Sequence, residues 1–340
     1  MKALVVEEIG GPLLLKDMPR PEPGPGEVLL RVRACAVDQF DLKIRYGQVS
    51  HAKPPIILGH EIAGEIAALG GGVTNWTVGQ RVTSTLYLTC GRCRKCRTGR
   101  ETICENFKGY LGIQTPGGYA EYTVVPEVNL VELPGSISFP AGSILANAIG
   151  TPLHAFTKRM QLQPGERVII TGAGGGVGLH AIQLARLMGA LVMAVDIGPA
   201  KLEAARQHGA DITVDPTQGN FAEAAREWTA GEGAEAVLEL TGAATLPTSL
   251  QALGKGGRLV IVGFHTGSEF TVQASQMVAN EWEILGSRNV TKRELAEVVA
   301  LVQAGRVQPV VSGVYPLEEA EAIHTRLGQQ EIFGRVVLEP

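Results

Sequence analysis

The stretch Glu166–Asp196, ERVIITGAGGGVGLHAIQLARLMGALVMAVD, decides the fold. An apolar run leads into five glycines between 172 and 178, then a helical stretch, then a second apolar run ending in an acid. That order reads as strand, tight turn, helix, strand. Glycines at such a turn let the backbone approach a pyrophosphate seated on the helix N-terminus. The spacing is not a strict G-x-G-x-x-G, because the position that would hold the first glycine is Ala173. The fit is Gly172-x-x-Gly175-x-x-Gly178, with Gly176 and Val177 completing the loop. A glycine motif alone is weak, and its strand-before, helix-after context carries the assignment. Asp196 lies where an acid would bind both ribose hydroxyls of NAD and repel the extra phosphate of NADP. Lys201 could reach the same ribose. The structural alternative for Asp196 is a helix cap, since DIGPAK opens a helix.

Outward from this stretch the pattern repeats. KLEAARQHGADITVD (201–215) reads as helix and strand, and AEAVLELTG, GRLVIVGF and WEILGS each read as an apolar strand. Strands alternating with helices imply right-handed crossovers and a doubly wound parallel sheet, a Rossmann-type nucleotide-binding domain over 149–286. Before it, over 1–148, short β signals dominate. EVLLRVRACAV, EIAGEIAAL and QRVTSTLYL alternate with period two, punctuated by PRPEPGPGE and AKPPIILG. The tail, 287–340, shows one amphipathic helix, KRELAEVVALVQAG, and a last strand, GRVVLE. The fold class is therefore α/β, a β-rich domain plus a Rossmann domain.

Charge and cysteine usage narrow the function. The 340 residues carry a net charge of -4 with no basic tract, which argues against nucleic acid or anionic membrane as partner. No apolar signal core is visible in MKALVVEEIGG, and a cytoplasmic protein is expected. Of five cysteines, four form C-x2-C-x2-C-x7-C at Cys90, Cys93, Cys96 and Cys104. Four soft thiolates at that spacing suit a closed tetrahedral zinc site of structural type. Arg92, Arg94, Lys95, Arg97 and Arg100 would offset its negative charge. Free thiols or an iron–sulfur cluster are the alternatives.

Taken together these features resemble the medium-chain dehydrogenase/reductase superfamily, in its zinc alcohol dehydrogenase group. The resemblance covers essentially the whole chain, and PPIILGHEIAGEIAALG and the cysteine spacing are its specific markers. It implies a GroES-like β domain of catalytic type, a C-terminal return to that domain, NAD(H) as cofactor, a small-molecule substrate, and a homodimer or homotetramer built through the edge strand near WEILGS. It also implies that Thr241, Val262 and Gly263 line the cofactor and that Arg335 lies near its pyrophosphate. In the family a catalytic zinc is held by a cysteine, the histidine of GHE and a second cysteine. Here Asp38 stands at the first position, His60 and Glu61 are kept, and Asn147 stands at the second cysteine. Phe40 replaces the hydroxyl residue of the proton relay. Asp41 is kept, and in the family it orients the zinc histidine.

Two readings of ACAVDQFDLK (34–43) stay open. Asp38, His60 and Glu61 are credible ligands for a second, catalytic zinc, with Asn147 adding an amide oxygen or holding a water. Asp38 and Asp41 are equally suited to cap the helix that starts there, with His60 a core histidine. The first reading gives an NAD(H)-dependent oxidoreductase acting on a simple, polyol or sugar-type alcohol, its proton leaving through water and His51 or directly to solvent. The second gives an enone or quinone reductase without active-site metal, or a nucleotide-binding relative without activity. Cys35, out of register for a ligand, is expected to pack as a small apolar residue. His154 and His180 are read as structural, His208, His265 and His324 as surface or loop residues, and Trp76, Trp228 and Trp282 as packing.

Overall fold

The computed structural model describes residues 1–340. The chain divides into two compact units. One comprises Met1–Gly150, Val290–Gly305 and Pro309–Pro340; the other comprises Thr151–Asn289 and Arg306–Gln308.

The second unit is built on a six-stranded sheet. Its spatial order is Ile212–Val214, Leu191–Val195, Arg167–Thr171, Ala234–Glu239, Leu253–Ile261 and Glu283–Gly286. Every pairing is parallel. The order runs outward in both directions from the first strand, so the topology reverses beside Arg167–Thr171, where such folds bind ligands. The strands are unbroken apolar runs because both faces are covered: Ile169, Met193, Val195, Val237 and Leu259 are all buried. Gly172 has φ +61°, a conformation that side chains with a Cβ seldom adopt. A Cβ on Gly178 would lie 2.3 Å from the Gly172 carbonyl oxygen, so the helix Gly176–Leu187 can approach the strand only with glycine there.

The first unit has a seven-stranded sheet. Along its main path run Val311–Pro316, Arg335–Glu339, Glu27–Val37, Glu61–Leu69, Arg81–Ser84 and Leu130–Glu132, with Tyr122–Pro126 also paired to Glu27–Val37. The period-two pattern of EVLLRVRACAV holds only in part, because Ala34 through Val37 are all buried. Two cores enclose that end of the strand. Cys35 and Val37 join one, while Ala34 and Ala36 pack with Ile144, Ala148 and Val337 in another. The tail holds more than the single helix and strand expected: it adds the strand Val311–Pro316 and the helix Ala320–Gly328. That helix buries Ala320, Ile323, His324 and Leu327, a helical face interrupted by a polar ring.

Candidate active site

Three adjacent strand ends bring the key side chains together. The strand Glu27–Val37 pairs antiparallel with Glu61–Leu69 on one side, Ala36 opposite Glu61. On the other side it pairs antiparallel with Arg335–Glu339, Val37 opposite Val336. One step further in that register puts Arg335 opposite Asp38. Asn147 arrives on the π-helical turn Leu145–Ile149. Asp38, Asp41, His60, Glu61 and Arg335 are all buried.

The two readings of Asp38 prove compatible, because each carboxylate oxygen does a different job. Oδ1 accepts from the backbone N–H of Phe40 (2.8 Å) and Asp41 (3.2 Å), capping the helix Gln39–Arg45. Oδ2 faces His60 Nε2 at 3.6 Å and accepts from Asn147 Nδ2 (3.0 Å) and Arg335 Nη2 (3.2 Å). Asp41 also divides its oxygens. Oδ2 completes the capping box by accepting from the Asp38 N–H at 3.0 Å, and Oδ1 lies 3.1 Å from His60 Nδ1. Glu61 Oε1 lies 2.9 Å from both Asn147 Nδ2 and Arg335 Nη2, and Asn147 Nδ2 is 3.2 Å from His60 Nε2. Phe40 sets its ring edge-on to His60, centroids 5.7 Å apart, and closes that side with carbon.

Electrostatics follow from this packing. Burial opposes ionisation of Asp38, yet His60 and Arg335 beside it hold its carboxyl well below the usual range. Burial likewise opposes charge on His60, and Asp41 and Asp38 outweigh it and hold its pKa well above the ordinary value. Burial pushes Glu61 up to about 7 even with Arg335 against it.

The donor set fits a divalent metal. Asp38, Asp41 and His60 place ligand atoms within 4.8 Å of one another, and Glu61 Oε2 is a buried oxygen with no hydrogen-bond partner. Zinc bonded to oxygen or nitrogen at about 2.0–2.2 Å sets tetrahedral ligand atoms about 3.3–3.6 Å apart. The Asp38–His60 spacing of 3.6 Å meets that requirement.

The cysteine lobe fits zinc as well. Sulfur–sulfur distances are 3.5 Å (Cys93–Cys96), 3.6 Å (Cys90–Cys104), 3.8 Å (Cys93–Cys104) and 4.0 Å (Cys90–Cys96), with no disulfide. A tetrahedron of Zn–S bonds near 2.3 Å needs about 3.8 Å. The Arg92 and Cys93 backbone N–H groups pull the Cys90 thiol down to about 6, toward the thiolate that a metal takes.

In the second unit the expected cofactor residues gather at the carboxyl ends of the strands. Gly175 precedes the helix Gly176–Leu187, and no side chain caps that N-terminus. Asp196 accepts from the Gly174 N–H (2.8 Å) and the Ile197 N–H (2.7 Å), with Lys201 Nζ 3.9 Å away. Thr241 adjoins Gly172: a Cβ on Gly172 would lie 3.3 Å from Thr241 Oγ1. The N–H groups of Val262 and Gly263 both reach the Glu239 carbonyl at 3.0 Å. Sequence reasoning missed Glu239, whose buried carboxylate accepts from Thr171, Thr245, Ser249 and the N–H groups of Thr241 and Gly242. An acid inside the apolar run AVLELTG was its signal.

Arg335, which the resemblance set near the pyrophosphate, belongs to the first unit, where its guanidinium is buried on Asp38 and Glu61. His324, expected at the surface, is a correction: it is 2% exposed, its Nε2 3.1 Å from the Tyr119 hydroxyl. Cys35 is buried and packs as expected, and the His180 ring nitrogen Nδ1 meets the Gly176 carbonyl at 2.6 Å. His51 is exposed beside Ser50.

Comparison with known proteins agrees with this architecture. The family model "Alcohol dehydrogenase GroES-like domain" matches residues 24–135, and "Zinc-binding dehydrogenase" matches residues 176–304. The alcohol dehydrogenase of Geobacillus stearothermophilus is 37% identical over 100% of this chain and 99% of its own length. The acryloyl-coenzyme A reductase of Metallosphaera sedula is 32% identical over 99% of each chain. A crystal structure of an NAD-dependent alcohol dehydrogenase superposes with TM-score 0.94 at 36% identity over 100% of both chains. The chain belongs to the zinc-binding, alcohol dehydrogenase-like oxidoreductases.

Proposed function

We propose that this protein interconverts an alcohol, of simple, polyol or sugar type, with its aldehyde or ketone, using NAD(H). Zinc in the cysteine lobe is structural, and a second zinc is held by Asp38, His60 and Glu61. The observation that carries this reading is Asp38 Oδ2 facing His60 Nε2 at 3.6 Å, with Asp41 on the other nitrogen of His60 and the neighbouring Glu61 keeping a buried Oε2 without a hydrogen-bond partner. A zinc bound there supplies Lewis acidity toward the substrate oxygen, and the nicotinamide gives or takes the hydride.

The chain's own residues prepare that chemistry. Asp41 keeps a proton on His60 Nδ1, so that Nε2 turns its lone pair toward the metal. The N-cap bonds fix the Asp38 carboxylate and leave one oxygen to bind. Asn147 positions Asp38 and Glu61 by its amide, and Arg335 offsets their negative charge. Phe40 brings no hydroxyl to the site, so the alcohol proton passes to water. In the second unit, Gly172, Gly175, Gly176, Val177 and Gly178 bare the backbone for a pyrophosphate. Asp196 and Lys201 meet the adenosine ribose, and Thr241, Val262 and Gly263, at the ends of the strands on the other side of Arg167–Thr171, line the rest of the cofactor. Self-association through the edge strand Glu283–Gly286 belongs to the same reading.

Arg335 favours a second reading. Its guanidinium already compensates Asp38 and Glu61, as a site working without metal would require. Such an enzyme would reduce an enone or an acryloyl thioester, and one similar protein is an acryloyl-coenzyme A reductase. Metal counting decides between them. The first reading expects two zinc ions per chain, one lost in Asp38→Asn and the other in Cys104→Ser, with NAD-dependent alcohol oxidation. One zinc per chain, untouched by Asp38→Asn, together with NADH-dependent enone reduction, would overturn it.

A further inference from the structure

Behind the Asp41–His60 pair lies a second layer of buried polar groups. The Tyr119 hydroxyl is 3.3 Å from Asp41 Oδ2, and His324 Nε2 is 3.1 Å from the same hydroxyl. The Tyr119 and His324 rings meet edge-on with centroids 5.7 Å apart. Tyr119 is fully buried and His324 nearly so. A hydroxyl has one hydrogen to give, so the direction of each bond can be worked out. His324 Nδ1 has no partner. A proton there would be an unpaired buried N–H, which costs more than a bare ring nitrogen, so the proton sits on Nε2. His324 Nε2–H therefore donates to the Tyr119 oxygen. The Tyr119 hydrogen is then committed to Asp41 Oδ2, and Asp41 Oδ1 accepts from His60 Nδ1–H. All donors point toward one carboxylate, which also accepts from the Asp38 N–H at 3.0 Å.

The packing locks this geometry. Tyr119 is held against the Gly59 turn, where a Cβ would fall 2.5 Å from the ring and 2.6 Å from Cys35 Sγ. Backbone bonds fix the same segment, Tyr119 N–H to the Leu58 carbonyl at 3.0 Å. His324 rides on the C-terminal helix Ala320–Gly328, which is anchored by the Gln39 side chain on the Leu327 carbonyl at 2.8 Å.

We propose that Tyr119 and His324 are positioning residues: they pin the Asp41 carboxylate and thereby fix the tautomer and ring orientation of His60. The inference rests on the reading of His60 as a zinc ligand, but the hydrogen-bond chain has a signature of its own. In the full-length protein labelled with ¹⁵N-histidine, the His60 Nδ1 proton gives a downfield resonance assigned by its loss in His60→Asn. Tyr119→Phe, which removes one oxygen, is expected to shift or broaden that resonance and to weaken zinc at the second site about tenfold, leaving the lobe zinc unchanged. His324→Phe is expected to act in the same direction, and His324→Gln, which keeps a donor, to restore the resonance. An unchanged His60 Nδ1 resonance in both Tyr119→Phe and His324→Phe overturns the proposal. One zinc per chain in the unaltered protein instead overturns the metal reading, and the resonance still decides the role of Tyr119.

Discussion

The His324 ring is a titratable group in a place that does not accommodate its charge. Burial drives its pKa down to about 4, against Asp41, Glu321 and Asp38, which favour the cation, and with Arg45, which opposes it. An unfolded chain holds this histidine near its ordinary value of about 6.5. As pH falls below 6.5 the unfolded state takes up a proton that the folded state refuses. The stability is thus fully present above pH 6.5 and is lost as pH falls toward 4. Between pH 7.5 and pH 5 the linkage amounts to about 2 kcal/mol. His324→Gln has no such proton to bind, so its melting temperature is expected to fall less than that of the unaltered protein between those two pH values. Parallel melting curves for the two proteins would refute this. At this scale the sequence brought Asp38, Asp41 and His60 forward through the family resemblance of ACAVDQFDLK and GHE, and left helix capping and metal binding both open. Tyr119, His324 and Arg335 were hidden for a physical reason. They reach the site through pairings more than 70 residues distant in the chain, which no local pattern encodes.

Among the elements, the turn between Arg167–Thr171 and Gly176–Leu187 was the most legible, since its glycines are demanded by backbone geometry. Gly178→Ala would set a methyl 2.3 Å from the Gly172 oxygen and 2.6 Å from Ala173 carbon atoms. Backbone on both sides of a buried turn cannot yield by that distance without moving the helix. The expected cost is roughly 2–3 kcal/mol, with NADH binding weakened at least tenfold as the helix N-terminus leaves the phosphate. Fluorescence titration with NADH checks this, and wild-type affinity in Gly178→Ala would refute the role given to the turn. The helix Ala320–Gly328 was the least legible element. Its inward face carries His324 among alanine, isoleucine and leucine, so the apolar stripe that marks a helix is broken by the residue with the polar task.

At the scale of the whole molecule, one sheet edge is left open to a second copy. The sheet of the second unit ends at Glu283–Gly286, a strand paired on one side only, to Leu253–Ile261. Ile284 and Leu285 are half-buried there, and Val278 on the preceding helix Ala274–Asn280 is 79% exposed. An edge strand open on one side and carrying apolar side chains is a template for another strand; at its far end the Gly286 carbonyl already accepts from Arg159 Nε at 2.8 Å. The simplest closed partner is the same strand of a second copy, related by a two-fold axis, which makes the pairing antiparallel and joins two six-stranded sheets into one. The glutamate at position 283 does not block such pairing, because its exposed side chain points away from the ladder plane as strand side chains do. Ser287 N–H bonds to the Ile261 carbonyl, so by alternation Leu285 faces Leu253–Ile261 and Ile284 faces the open edge. Ile284→Pro therefore removes an outward donor and leaves the internal ladder its bonds. Light scattering is expected to give at least twice the monomer mass for the unaltered protein and the monomer mass for Ile284→Pro. A monomer in both cases would place the edge strand outside any interface. A dimer in both would move the interface to another face of the molecule.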